Sequence, residues 1–220
     1  MSGFDIAIDG PAGAGKSTIA KLVAKEKNMI YVDTGAMYRA MALYMLRNKV
    51  DLEDRDAIAG KCQGAEITIK YQDGVQCVFL NGENVNDLIR TEEVSIAASK
   101  TSAVPEVRKK LVSLQQELAI TESVVMDGRD IGTKVLPNAR LKIFLTASTK
   151  VRARRRFDEL LEKGMKADLM EIEKDIKERD RMDMTRAESP LVQAPDSVLL
   201  DTSDMSIKEV ADKIISLVDW

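Results

Sequence analysis

No histidine occurs anywhere in this chain of 220 residues, and that absence removes whole classes of chemistry. Ser-His-Asp and Cys-His catalysis, His-ligated zinc hydrolysis and imidazole proton shuttling all need a residue the chain lacks. Cysteine is nearly absent too. Cys62 and Cys77 stand far apart with no C-x-x-C, so neither a disulfide framework nor a zinc site is indicated, and both read as small buried hydrophobes. Aromatic residues make up only 4% and the formal net charge is −3, which argues against an aromatic-interleaved basic surface for nucleic acid and against affinity for anionic membranes. Apolar runs extend over a few residues only, and the first residues lack a charged-then-apolar leader pattern, so a cytoplasmic protein with no membrane partner is expected. The chemistry must therefore run on carboxylates, Arg, Lys, hydroxyls and metal. Phosphoryl transfer suits that inventory, because its catalysis is mostly positioning and charge stabilisation.

What is present begins with Gly10-Pro11-Ala12-Gly13-Ala14-Gly15-Lys16-Ser17-Thr18, directly behind the apolar run from Phe4. The pattern is G-x-x-x-x-G-K-[ST], a phosphate-binding loop between a strand and a helix. Gly10 and Gly15 permit turns and close approach that a Cβ would block. Backbone N–H groups then converge on phosphate oxygens, Lys16 sets a charge between the terminal phosphates, and Ser17 offers a hydroxyl to Mg²⁺. Asp127 ends a later buried strand, where open α/β sheets place their ligands. It is the second metal candidate, directly or through water.

The remaining pattern is α/β. Phe4 to Asp9, Met29 to Val32, Ser123 to Met126, Leu141 to Leu145 and Val198 to Leu200 read as five strands of a parallel sheet, the first, third and fourth of them buried. Helices are expected from Lys16 to about Lys27 with Ile19, Ala20, Leu22 and Val23 inward, and up to Arg47 with Met37, Ala40, Met41 and Tyr44 recurring. Two more span about Thr91 to Thr101 and the stretch opened by Pro105, with Val107, Leu111, Leu114 and Leu118 as core. A charged helix runs from Ser148 to a cap at Gly164, followed by one from Asp168 to about Asp180. A last helix, opened by the capping box Ser206 to Glu209, turns Ile207, Val210, Ile214 and Val218 inward. Between residues 64 and 86 the period drops to two, with turns at Asp73-Gly74 and Asn81-Gly82 and a brief third strand at Glu83 to Val85. Such a meander has no place in a parallel core, so it reads as an inserted antiparallel lobe.

The arginines complete the picture. Arg39, Arg108, Arg129, Arg179, Arg181 and Arg186 are scattered near strand ends and loops, while Lys150 to Arg156 (KVRARRR) is the one strongly basic run. That run opens a helix, where the macrodipole prefers acids, so a local anionic ligand explains it better than helix stability. Bidentate guanidinium–phosphate pairing is the usual means of holding a second anion and neutralising a transferring phosphoryl group.

The stretches GPAGAGKST, DTGAMYR, MDGRDIGT and KERDRMDMTRAESPL together resemble the bacterial cytidylate kinase family, within the nucleoside monophosphate kinase group of P-loop kinases, across essentially the whole chain. The resemblance implies a three-layer P-loop core with a five-stranded parallel sheet, an inserted β lobe and a helical lid. It implies phosphorylation of CMP and dCMP by ATP with Mg²⁺, in pyrimidine nucleotide metabolism. The whole chain, 1–220, would be one kinase domain, with an acceptor-binding insert at about 35–104 and an arginine-rich lid at about 148–188. Residue by residue, Thr34, Arg39, Arg129 and Arg186 would hold the acceptor phosphate, and Ser99, Arg108 and Asp130 would read cytosine. Arg179 and Asp183 would meet the ribose, and Arg152, Arg155 and Arg156 would reach the ATP phosphates. Lys16, Arg129, Asp127 and Arg156 would be the catalytic groups of a monomer acting on small molecules. Threonine at 34 replaces a serine frequent in the family and can donate the same bond.

Two alternatives remain in view from the residues. One is a P-loop kinase for another nucleotide or a sugar. The other is a GTP-dependent switch, since Asn48-Lys49-Val50-Asp51 spells N-K-x-D. That motif comes too early in the chain, and its companion D-x-x-G is missing after Asp127.

Overall fold

The computed structural model of the chain describes residues 4–72 and 74–218. In chain order the core begins with β1 (Ile6–Asp9), α1 (Lys16–Glu26), β2 (Ile30–Asp33) and α2 (Thr34–Arg47). Then come α3 (Arg55–Cys62), the strands β3 (Ile67–Gln72), β4 (Val75–Leu80) and β5 (Glu83–Asn84), a short 3-10 turn, and the helices α4 (Glu92–Thr101) and α5 (Pro105–Thr121). The second half carries β6 (Val124–Gly128), a π-turn (Ile131–Val135), β7 (Leu141–Thr146), α6 (Thr149–Glu162), α7 (Leu169–Thr185), β8 (Val198–Asp201) and α8 (Ile207–Val218).

Five strands form an all-parallel sheet in the order β2-β6-β1-β7-β8. β1 lies in the middle and is buried along its whole length, which is why its sequence is continuously apolar up to Asp9. Ile6, Ile8, Val125, Ile143 and Leu145 pack one face against α1 and α8, while Ala7, Val32, Val124 and Met126 pack the other against the π-turn and α5. Those two faces make the three layers. A separate apolar cluster joins α2, α3, α4 and the start of α5 to the antiparallel sheet β3-β4-β5. Asp33, Asp54, Thr91, Ser148 and Asp168 each cap the N-terminus of the helix that follows them, and Pro105 takes the first position of α5.

The structure departs from the sequence reading at several points. Leu22 is 41% exposed, because the buried stripe of α1 is Ile19, Ala20, Val23 and Ala24. Ile207 is also exposed, the stripe of α8 beginning one turn later at Val210, and Leu114 and Leu118 are only half-buried. α3 is absent from that reading because it buries just Ile58 and Cys62, too thin a stripe to show a period. α7 runs on to Thr185, because Arg181, Met182 and Met184 are good helix formers and need no buried face to continue. Of the expected hairpin turn, Asp73 lies outside the described residues, and Gly74 has a left-handed backbone with φ of 75°.

Candidate functional site

Gly10 opens the phosphate loop with φ of 149°, and a Cβ there would sit 1.9 Å from the carbonyl oxygen of Leu145 on β7, so only glycine fits. Gly15, left-handed at φ of 86°, forms the N-cap of α1 and supplies no side chain to cap it. The first N–H groups of α1 thus face the loop together with the positive end of its macrodipole. Pro11, Ala12 and Ala14 are buried, and Ser17 and Thr18 are exposed on the first turn of α1. Lys16 is buried and folds back to donate to the Pro11 carbonyl at 2.7 Å. Burial, reinforced by the charge of Arg129, pushes its ammonium down to about 7 against the pull of Asp127, Asp183 and Asp9.

Three carboxylates mark the ends of adjacent strands beside this loop: Asp33 on β2, Asp127 on β6 and Asp9 on β1. Asp127 is 5% exposed and accepts from Ser17 Oγ at 2.9 Å on one oxygen and from the Tyr31 hydroxyl at 2.8 Å on the other. Thr34 Oγ1 donates to the Asp127 carbonyl at 2.7 Å. Burial and then the neighbouring Asp33 raise the Asp127 carboxyl, while Lys16 opposes the shift. Asp33 caps α2 at the Ala36 N–H at 2.9 Å and holds Arg39 at 3.0 Å. Asp9 accepts from the N–H groups of Ile131 at 2.8 Å and Gly132 at 2.7 Å, fastening the π-turn to the root of the phosphate loop. Burial raises its carboxyl to about 6 despite those two bonds, with Asp130 adding to the rise.

On the far side of this acidic row, Asp130 and Arg108 are both buried and ion-paired, and Arg186 approaches the other Asp130 oxygen at 3.7 Å. The Arg108 guanidinium also lies 5.3 Å from the ring centre of Tyr38. Arg108 Nε and Arg186 Nη2 are buried without a hydrogen-bond partner, so polar capacity is left over here. Ser99, Asp183 and Arg186 line a cleft of about 260 Å³ with Leu52, Arg55 and Ile58. Ser99 itself donates back to the Ser95 carbonyl at 3.2 Å.

Arg129 bridges the two halves, its Nε donating to Asp183 at 2.6 Å. Burial alone would raise the Asp183 carboxyl, but Arg129, Arg186 and Arg179 hold it below the usual range. Burial first, and then the charge of Arg129, lowers the Arg179 guanidinium below its usual range against the pull of Asp183, with Arg39 and Arg156 adding to the fall. Arg39, Arg129, Arg156 and Arg179 thus lie close enough for their charges to act on one another, and Arg129 acts on Lys16 as well, an arrangement whose mutual repulsion a bound polyanion would relieve.

The basic run divides into different roles. Arg152 is buried, with Nε on the Ala147 carbonyl at 2.9 Å, Nη1 on the Ala12 carbonyl at 2.8 Å, and Nη2 on Asp180 at 2.7 Å. It clamps the phosphate loop to α6 and α7, and its donors are spent on protein. Arg155 is likewise engaged, by Thr202 Oγ1 at 3.1 Å and the Thr202 carbonyl at 2.6 Å. Arg156 alone of the three stays on the surface, in a 2.9 Å pair with Glu159 that is easily exchanged for another anion. Asn48 of the N-K-x-D stretch caps the end of α2 through the Tyr44 carbonyl at 2.8 Å, so that motif is a helix stop.

Sequence reasoning missed Asp9, Tyr31, Asp33 and Asp180. Asp9 was findable, since it ends the strand before the loop, where ligand groups gather. Tyr31 and Asp180 carry no local signal, because their partners lie 96 and 28 residues away.

The family model for cytidylate kinase matches residues 6–219. The chain belongs to the cytidylate kinase family. A curated cytidylate kinase of Caldicellulosiruptor bescii is 52% identical over 217 residues, covering 99% of this chain and 96% of that relative. One from Listeria welshimeri is 52% identical over 215 residues, covering 97% and 95%. Among solved structures, shikimate kinase from Bacteroides thetaiotaomicron aligns with a TM-score of 0.50 at 16% identity over 99% of both chains, a likeness of fold alone. This member of the cytidylate kinase family carries both the phosphate loop and the buried Arg108–Asp130 pair. No helix among the described residues is long and apolar enough to cross a membrane.

Proposed function

We propose that the chain transfers the γ-phosphoryl group of ATP to CMP or dCMP, in the cytoplasm, as a monomer with no nucleic acid or membrane partner. The observation that carries the reading is 52% identity to a cytidylate kinase over nearly the full length of both chains. The site chemistry agrees with it. Cytosine offers an N4 amino donor with N3 and O2 acceptors, which a carboxylate (Asp130) and donors (Arg108, Ser99) match edge for edge. Thr34, Arg39, Arg129 and Arg186 hold the acceptor phosphate, and Arg179 and Asp183 meet the ribose. The acceptor phosphate oxygen attacks the γ-phosphorus in line and is already anionic near neutral pH, so no histidine is required. Lys16, Arg129 and Arg156 stabilise the charge on the transferring group. Arg152 and Arg155 act on ATP through the loop and helix they fasten. Residues 35–104 form the acceptor-binding unit and 148–188 the lid.

The donor set suits Mg²⁺. Ser17 Oγ and Asp127 Oδ2 are hard oxygens 2.9 Å apart at the loop. Among the described residues no group of three or more acidic, Cys or His side chains is placed to hold a metal ion. When bound, Mg²⁺ would supply positive charge to neutralise the triphosphate. Ser17 and Asp127 would hold it, Asp127 directly or through water.

A coupled assay of ATP consumption with CMP, dCMP, UMP, AMP and shikimate tests the reading. Turnover is expected with CMP and dCMP, and a panel in which UMP, AMP or shikimate is the best acceptor would sink it. A second expectation follows from Lys16, whose proton is half lost at about pH 7 in the free protein. Triphosphate beside it favours the charged form, so ATP binding at about pH 8 is expected to take up close to one proton. Calorimetry in buffers of different ionisation enthalpy reads this directly, and proton release on binding contradicts it.

A further inference from the structure

β2 is an edge strand of the parallel sheet, hydrogen-bonded to β6 on one side only. Its free edge is not left bare. The side-chain amide of Gln76 on β4 accepts from the Asp33 N–H at 2.7 Å and donates to the Asp33 carbonyl at 3.2 Å. The Tyr71 hydroxyl on β3 donates to the Tyr31 carbonyl at 3.0 Å. Tyr71 and Gln76 are directly opposed across the hairpin, and Tyr31 and Asp33 are two apart on β2. Backbone groups two apart on a strand point to the same edge, so two facing side chains of the hairpin grip that edge where a sixth strand would pair.

The two gripped residues are those whose side chains enter the site. The Tyr31 hydroxyl holds one oxygen of Asp127, and the Asp33 carboxylate caps α2 and pairs with Arg39. We propose that Gln76 and Tyr71 are positioning residues of the phosphoryl-transfer site, through which the antiparallel lobe acts as a surrogate edge strand that sets Asp33 and, through it, Arg39. The lobe thereby does more than shape the acceptor pocket. It determines the position of an acceptor-phosphate arginine from outside the sheet. This rests on the reading of Arg39 as a ligand of the acceptor phosphate.

Gln76→Met and Tyr71→Phe keep each side chain's bulk and remove its polar grip. Each is expected to raise KM for CMP about threefold to tenfold, the range of one net hydrogen bond, while KM for ATP moves less than about twofold. Hydrogen exchange at the Asp33 amide is expected to speed up by about tenfold or more in Gln76→Met, with Tm nearly kept. Unchanged KM for CMP in both variants overturns the proposal. So does a fall in Tm with intact kinetic constants, or an equal rise in both KM values, because a merely structural contact would act in those ways. Should Gln76→Met not fold, Tyr71→Phe decides alone. Wild-type protein assayed alongside separates the two levels: no CMP turnover by wild type removes the functional reading, whereas wild-type turnover with unaffected variants removes only the positioning role.

Discussion

Lys16→Ala is expected to lower turnover by on the order of 10²-fold or more, the effect of removing one preorganised donor from a developing anion. The side chain is buried at the mouth of the phosphate loop and rests on the Pro11 carbonyl, 2.7 Å away. Nothing else in the loop can replace a mobile point charge, since Arg152 is tied to Ala12, Ala147 and Asp180. Stability separates this loss from unfolding. The folded-state value of about 7 lies below the ordinary 10.5, so between those values the unfolded chain binds the proton and the folded one does not. Stability from this group is thus full at high pH and is lost as pH falls toward 7, which means the buried ammonium costs stability at neutral pH. Lys16→Ala removes that cost, and its Tm at neutral pH without nucleotide is expected to be no lower than wild type. Near wild-type turnover would refute the catalytic assignment.

Asp130→Ala is expected to lower kcat/KM for CMP far more than for UMP. A carboxylate accepts from the N4 amino group of cytosine, whereas uracil presents an oxygen there. An acceptor facing an acceptor leaves both unpaired, at about 1 to 3 kcal/mol per buried group. Loss of that acceptor should therefore narrow the CMP preference by on the order of tenfold to a hundredfold. Asp130 also neutralises Arg108 and Arg186, and stripping a partner from a buried pair costs about 3 to 5 kcal/mol, so Asp130→Ala is expected to melt lower. Asp130→Asn isolates the reading of the base. Its amide can accept from cytosine or donate to uracil, so the preference should collapse while the side chain keeps its size. Equal losses for the two nucleotides in both variants would sink the base-reading role.

The local features of the chain were legible from its residues. Strand-loop-helix at Gly10 to Thr18, the switch of period at residues 64 to 86 and the cap residues all depend on neighbours within a few positions. Elements with little buried surface escaped, α3 with two buried residues and the end of α7 with none. The arginines were legible as a set but not singly. Arg152, Arg155 and Arg156 sit within five residues of one another, yet the first clamps the loop, the second holds Thr202 and only the third stays on the surface.

By itself, then, the order of residues determined a phosphate-binding loop, specified by glycines, a lysine and a hydroxyl in one short run, and the resemblance of DTGAMYR, MDGRDIGT and KERDRMDMTRAESPL narrowed it to the cytidylate kinase family. Tertiary structure alone decided which charges are free to act. A guanidinium or carboxylate has the same local sequence signal whether it faces ligand or protein. Its role is set by partners such as Ala12 for Arg152, 140 residues away, and Ile131 for Asp9, 122 residues away, which meet only when the sheet closes.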